Sequence, residues 1–394
     1  MSLLDRLNAP GPKRILALDG GGVRGAITLG YLQRLEHILA AQSSNPDTFV
    51  LSDYFDLVGG TSTGSILASC IALGMKMDQL KVDYFNVIDK IFGKKYANWN
   101  MVPGKAAQKM FNVLFSRADY DSGPIEQALM TMFGDKTMGS DAFRSGLCIV
   151  TKRADTNSTW PILNHPGGKY FDSDDGRNKD ILLWKAVRAS AAAPTYFIPQ
   201  VIDVGGGTSS AAFVDGGMTM ANNPALQTLM VATLKGFPFR WKMGADNLML
   251  VSIGTGVNKM RRSVEEITSY QEFRWAAEIP DMLMQDASWH NQLILQWLSD
   301  SPVPWSINGE VGDLAQDLIA PGESGRGLIS YLRYNTWLTK AELDKLMSTS
   351  YTQERVDDFN AMDHAANCED LYKIATVAAA KQMQEEHFPN VFSV

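Results

Sequence analysis

With 394 residues, 45% of them hydrophobic and 20% charged, the chain has the composition of a globular protein long enough for one large α/β domain and an appended region. Its net charge of −7 weighs against nonspecific binding of DNA or RNA, and three widely spaced cysteines weigh against a disulfide framework and for a reducing compartment. Met1 to Pro12 contains no signal-peptide core and no apolar stretch is long enough to span a bilayer, so a soluble, cytoplasmic protein is expected.

After a tail over residues 1–13, Arg14-Ile15-Leu16-Ala17-Leu18 reads as a buried strand. Asp19 to Gly25 is a glycine-rich turn, and Ala26 to Leu39 carries apolar residues at helical spacing. Glycines between a strand and a helix N-terminus let backbone N–H groups converge, so this loop suits a phosphate or a developing oxyanion. Gly20 to Gly25 also satisfies G-x-G-x-x-G, the pattern of a dinucleotide site. That reading needs an acid about 20 positions on, at the end of a second strand, where Asn45 to Asp53 reads as a loop.

The apolar run Tyr54 to Val58 then leads into Gly60-Thr61-Ser62-Thr63-Gly64, and Ser65 to Leu73 reads as a helix. This is G-x-S-x-G, a serine on a tight strand-to-helix turn whose flanking glycines, Gly60 and Gly64, allow close approach of the two elements. No lysine follows as a P-loop requires. Taken alone, the five residues fit an ordinary structural turn as well as a nucleophile elbow.

From Ile91 to Ala118 the chain holds Lys94, Lys95, Lys105, Lys109 and Arg117 and no acid, interleaved with aromatic residues and methionines. Such a segment suits a lid or a contact with anionic lipid, and equally a core helix with snorkelling lysines. Leu147 to Thr151 reads as a central strand. Asp172-Ser173-Asp174-Asp175-Gly176 starts like a calcium loop but has no closing glutamate, so it reads as a solvated turn. Ala212-Phe213-Val214-Asp215-Gly216-Gly217 is a short strand ending in an acid, followed by the turn Asn222-Asn223-Pro224. Lys235 to Lys242 is expected as an exposed loop, and Asn247 to Gly256 as another central strand. Beyond it, Glu265 to Leu298 and about 340–384 carry helical periodicity, with a break at Ser301-Pro302-Val303-Pro304.

A serine hydroxyl attacks only if a base takes its proton. Among the five histidines, only His165 has a loop context able to reach a site, and it reads better as a surface-loop residue. Asp215, at a strand end, is the better base. The histidines and cysteines show no metal-ligand spacing, so neither a metal nor another cofactor is expected.

Asp19 to Gly25, Gly60 to Gly64, Ala189 to Phe197 and Asp215 to Gly217, in that order, resemble the patatin-like phospholipase family over about residues 14–256. The resemblance implies an α/β three-layer fold with a mostly parallel central sheet as the catalytic domain (14–256), with residues 257–394 a mainly helical C-terminal extension packed on it. It implies Ser62 as nucleophile, Asp215 as its dyad partner, and Gly20, Gly21 and Gly22 as oxyanion donors. Arg24 falls on the motif arginine, near a lipid phosphate or bracing the loop. The implied activity is hydrolysis of phospholipid acyl esters at the inner membrane surface. The extended C-terminal part and cytoplasmic character are similar to bacterial members, some of which are anti-phage effectors switched on by cyclic nucleotides. A cyclic nucleotide activator and a homo-oligomer are therefore candidate partners. A catalytically idle lipid- or nucleotide-binding module on the same fold is the alternative.

Overall fold

The computed structural model describes residues 2–92, 120–194, 196–205, 210–258, 262–307, 312 and 326–393. The basic aromatic segment expected over Ile91 to Ala118 lies, past Phe92, outside the described residues. In chain order the elements of the first half are α1 (Leu3–Asn8), β1 (Lys13–Leu18), α2 (Gly25–Gln42), α3 (Leu51–Tyr54), β2 (Leu57–Thr61), α4 (Thr63–Ala72), α5 (Met77–Phe92), α6 (Ser122–Phe133), β3 (Gly146–Arg153), β4 (Ser158–Leu163) and α7 (Leu183–Ser190). The second half holds β5 (Gln200–Ile202), β6 (Ala211–Asp215), α8 (Ala225–Thr233), β7 (Leu248–Ile253), α9 (Val264–Thr268), α10 (Glu272–Trp297), β8 (Ser330–Tyr334), α11 (Lys340–Met347), α12 (Gln353–Asn360) and α13 (Cys368–Gln382).

Alternation along the strands sets the layers. In β1, Leu16 and Leu18 join one apolar core while Ile15 and Ala17 join another, and β7 divides in the same way between Met249, Val251 and Ile253 and Leu248 and Leu250. Successive side chains on a strand point to opposite faces, so a strand apolar at every position must be covered on both. Helices α2, α4, α7 and α13 contribute to the first core, while α8 and the last turns of α10 cover the second. This is the expected three-layer α/β architecture.

Eight strands form the sheet, in the order β5-β6-β3-β2-β1-β7-β8 with β4 also on β3. Strands β1, β2, β3, β7 and β8 pair in parallel, whereas β4, β5 and β6 pair antiparallel. The register around β3 builds the site. Because β4 occupies one edge of β3 from Cys148 to Arg153, β2 and β6 share the other: β2 pairs it up to Val150, and β6 takes over at Thr151. Thr61 lies opposite Val150 and Asp215 opposite Thr151, so two strands running toward each other end on adjacent rungs.

Three expectations shift in detail. The strand expected from Tyr54 begins at Leu57, because Leu51–Tyr54 forms a helical turn and the Asp56 carboxylate accepts from the backbone N–H of Arg14 at 2.9 Å, fixing where β2 starts beside β1. The tail contains a capped helix with Leu7 buried. Lys235 to Lys242 is not simply exposed: Phe239 and Trp241 are buried in the second core, and the Trp241 Nε1–H donates to the Leu7 carbonyl at 3.1 Å. Beyond Gly256 the described chain is mainly helical, and it also completes the sheet with β8. There α13 packs on α2, where a Cβ on Gly30 would come within 2.6 Å of the Ala375 Cβ.

Candidate active site

The turn at Gly60 to Gly64 is tight enough to require its glycines. A Cβ on Gly60 would come within 2.2 Å of the Gly64 carbonyl oxygen, and one on Gly64 within 2.2 Å of the Leu18 carbonyl oxygen. Ser62 between them has φ 53° and ψ −124°. That sparsely populated conformation costs a non-glycine residue about 1–3 kcal/mol and persists only where its surroundings enforce it. Here they do. The Ser65 N–H and Oγ both donate to the Ser62 carbonyl, at 2.9 and 2.6 Å, and the Ser62 N–H donates to Ser190 Oγ at 2.9 Å.

The Ser62 hydroxyl donates to Asp215 Oδ2 at 2.6 Å. The other carboxylate oxygen accepts from the Gly217 N–H at 2.7 Å, which orients the group. Asp215 is 4% exposed, and this burial pushes its pKa up to about 6, against the stabilising bonds from Ser62 and Gly217 and the charge of Arg188. Arg188 is itself fully buried, donating through Nη2 to Ser122 Oγ at 2.8 Å and to the Ile198 carbonyl at 3.2 Å. A carboxylate with raised proton affinity, touching a serine hydroxyl on a strained turn, is able to accept that hydroxyl's proton near neutral pH.

The glycine-rich loop runs past the same point, since a Cβ on Gly20 would lie 3.2 Å from the Ser62 Cβ. Its backbone is held from four sides. The Gly20 N–H donates to the Asn222 carbonyl at 3.0 Å, Thr255 Oγ1 donates to the Gly20 carbonyl at 2.9 Å, the Tyr84 hydroxyl to the Gly22 carbonyl at 2.8 Å, and the Val23 N–H to the Met362 carbonyl at 2.9 Å. With the Gly20 amide so engaged, Gly21 and Gly22 carry the N–H groups of the trio that have no hydrogen-bond acceptor among the described residues. At the base of the loop, Asp19 forms a buried two-pronged pair with Arg333 of β8, at 3.0 and 2.6 Å, and Arg333 also reaches Ser252 Oγ at 2.7 Å.

Arg24 is half-buried. Its Nε has no hydrogen-bond partner among the described residues, and burial holds its pKa below the ordinary value against the charge of Asp281. His165 is not the surface residue expected: it is 3% exposed, packs edge-on against Phe239 with ring centres 4.6 Å apart, and accepts from the Gly167 N–H at 2.9 Å. It follows β4, whose Leu163 pairs with Cys148 near the start of β3, whereas Asp215 pairs with Thr151. At about 3.3 Å per residue, that places it roughly 15 Å down the sheet from the serine turn. Among the described residues, no group of three or more His, Cys, Asp or Glu side chains is placed to hold a metal ion.

Sequence reasoning missed Ser190, Arg188 and Arg333. The Ala189 to Phe197 segment carries a motif signal for the first. Arg333 bonds a residue 314 positions away and leaves no local signal at all.

A mostly parallel, helix-covered sheet with a serine elbow, a hydrogen-bonded aspartate and an adjoining glycine loop defines an α/β protein with a nucleophile-type turn. The family model for patatin-like phospholipase matches residues 16–229, more than half of the chain. The chain belongs to that family. It is 29% identical over 248 residues to a cGAMP-activated phospholipase of Escherichia coli (strain TW11681), an alignment covering 61% of this chain and 62% of that protein. It is 33% identical over 219 residues to a cGAMP-activated phospholipase of Vibrio cholerae, covering 54% and 55%, and 32% identical over 256 residues to probable inactive patatin-like protein 9 of Arabidopsis thaliana, covering 64% and 62%. The chain thus spans about three fifths of the length of these relatives. Among solved structures, VipD from Legionella pneumophila aligns with 93% of this chain and 67% of its own at a TM-score of 0.34 and 14% identity, a likeness too distant to bear on the site.

Proposed function

We propose that this protein hydrolyses acyl esters of membrane phospholipids through a dyad of Ser62 and Asp215. The observation that carries the reading is the 2.6 Å contact between Ser62 Oγ and Asp215 Oδ2 on a turn held at φ 53°. In the first step Ser62 Oγ attacks the ester carbonyl while its proton passes to Asp215. Negative charge develops on the carbonyl oxygen beside the Gly21 and Gly22 amides. Collapse expels the lysolipid alcohol, which takes the proton from Asp215, and leaves an acyl-serine. Water then gives a proton to Asp215 as it attacks the acyl carbonyl, and collapse breaks the bond to Ser62 Oγ, which takes that proton back from Asp215 as the fatty acid leaves. With a buried carboxylate as sole base, the oxyanion donors carry much of the acceleration, and losing one typically costs about 10²–10³ in rate. Arg24, with its unpartnered buried Nε, is the side chain we assign to a lipid phosphate.

The substrate class rests on the family and on relatives named as phospholipases. The names of the two bacterial relatives also support a cyclic nucleotide activator, acting on a resting enzyme that spares its own membrane. The enzyme would meet lipid at the membrane surface; no described helix is long and apolar enough to cross a bilayer. The idle-module reading has a counterpart in the relative named probably inactive, but here serine and aspartate are both present and in contact. The test is release of fatty acid from phospholipid vesicles, with and without a panel of cyclic dinucleotides. Release abolished by Ser62→Ala supports the enzyme. No release under any condition favours the idle module, and full activity unaffected by nucleotides removes the regulated form while leaving the hydrolase.

A further inference from the structure

The last turn of α7 and the residues just past it touch both members of the dyad. Ser190 Oγ accepts from the Ser62 N–H at 2.9 Å and donates its own proton to the Val150 carbonyl at 2.6 Å. Two residues on, the Ala192 carbonyl accepts from the Asp215 N–H at 3.0 Å. Val150 is the residue of β3 opposite Thr61, and Thr151 is the one opposite Asp215. One short segment, anchored to β3, therefore holds the backbone of nucleophile and base at once.

From this geometry we infer that Ser190 is a positioning residue that, together with the Ala192 carbonyl, sets the separation of Ser62 and Asp215. The inference rests on the dyad reading above. Ser190 is fully buried, so water has no access to take over its bonds. Its single proton is committed to the Val150 carbonyl, which turns the oxygen lone pairs toward the Ser62 amide. That amide belongs to a residue in a strained backbone conformation, which relaxes when its restraint is lost. Removing the hydroxyl strands two buried backbone groups, the Ser62 N–H and the Val150 carbonyl, beside the reacting atoms. The hydrogen bond from Asp215 to Ala192 stays in place, so the serine shifts relative to a fixed base. A misplacement of about 1 Å is enough to cost about 10²-fold in rate.

The test uses the full chain and the rate at which a fluorophosphonate probe labels Ser62, a reaction that needs the dyad but no lipid contacts. Ser190→Ala is expected to slow labelling by about 10–100-fold, and to lower kcat on a soluble short-chain ester by a similar factor with KM changed less than about threefold. Ser190→Cys fills the same space with a weak hydrogen-bonding group, and it is expected to fall on the same side should the alanine variant lose its fold. The discriminating readout is the Asp215→Asn background. A residue acting through the dyad has little left to lose there, so Ser190→Ala is expected to cost less than about threefold in that background. Equal losses with and without Asp215, or undiminished labelling in a folded Ser190 variant, would overturn the assignment while leaving the dyad intact. Failure of the wild-type chain to label at Ser62, with cyclic dinucleotides supplied where the resting enzyme is silent, would overturn both.

Discussion

At the scale of single residues, the site turns on one buried carboxylate. Asp215 has its pKa pushed from 3.8 to about 6 by burial, so its base form is lost as pH falls through about 6. We expect kcat/KM to be flat above that pH and to fall tenfold per unit below it, checked on a soluble ester whose own chemistry does not titrate there. The linkage to stability has the opposite sense. A carboxyl whose folded pKa is raised favours the fold when protonated, so its contribution is complete below about pH 3.8 and is lost as pH rises through about 6. At neutral pH the buried charge costs about 3 kcal/mol. Asp215→Asn removes it, and is expected to abolish most turnover while raising the melting temperature. A variant that is inactive because it is unfolded would contradict this. His165 shows the limit of the sequence at this scale: proline and glycines after it suggest a surface turn, but Phe239, 74 positions away, covers its ring and only the fold reveals that.

At the scale of elements, the glycine turns and the helices after them were legible because G-x-S-x-G and the Asp19 to Gly25 loop are local patterns, although the atoms that crowd Gly21 and Gly22, on Thr255 and Met362, lie far along the chain. Where β2 begins was not. Leu51 to Tyr54 folds into a helical turn that takes the first residue of the apolar run Tyr54 to Val58, and Asp56 marks the boundary through a bond to a neighbouring strand. Partner choice at β3, where β2 hands one edge to β6, depends on register between distant segments and had no sequence signal. Gly64→Ala tests the element contact. Its methyl would meet the Leu18 and Asp19 carbonyls of the strand and loop at 2.2 and 2.7 Å, neither of which is a side-chain end free to move. We expect a substantial loss of stability in denaturant melts together with loss of activity. A variant of normal stability would mean that the strand and helix are less closely joined than described.

At the scale of the whole molecule, the part of the chain beyond Gly256 is tied into the site. It supplies β8 to the sheet, the Met362 carbonyl to the glycine loop, and Arg333 to the buried Asp19 at that loop's base. Helical periodicity marked the helices of this region but not the strand or these long-range bonds. Breaking a buried ion pair by removing one partner costs about 3–5 kcal/mol, because the remaining charge has no water. Arg333→Leu is therefore expected to lower unfolding free energy by about that amount in urea titrations and to impair turnover, although Arg333 touches neither Ser62 nor Asp215 in the bonds described. A neutral effect on both would separate the C-terminal region from the site. The same bonds join that region to the glycine loop that we propose to hold the oxyanion.

The central claim is that Ser62 is a nucleophile activated by Asp215. Its most direct test is site mapping after fluorophosphonate treatment of the folded chain, with cyclic dinucleotides supplied where the resting enzyme is silent. A single adduct is expected on the peptide carrying Ser62, absent in Ser62→Ala and strongly slowed in Asp215→Asn. An adduct on another residue that survives Ser62→Ala, or labelling of Ser62 at an undiminished rate in folded Asp215→Asn, would contradict it.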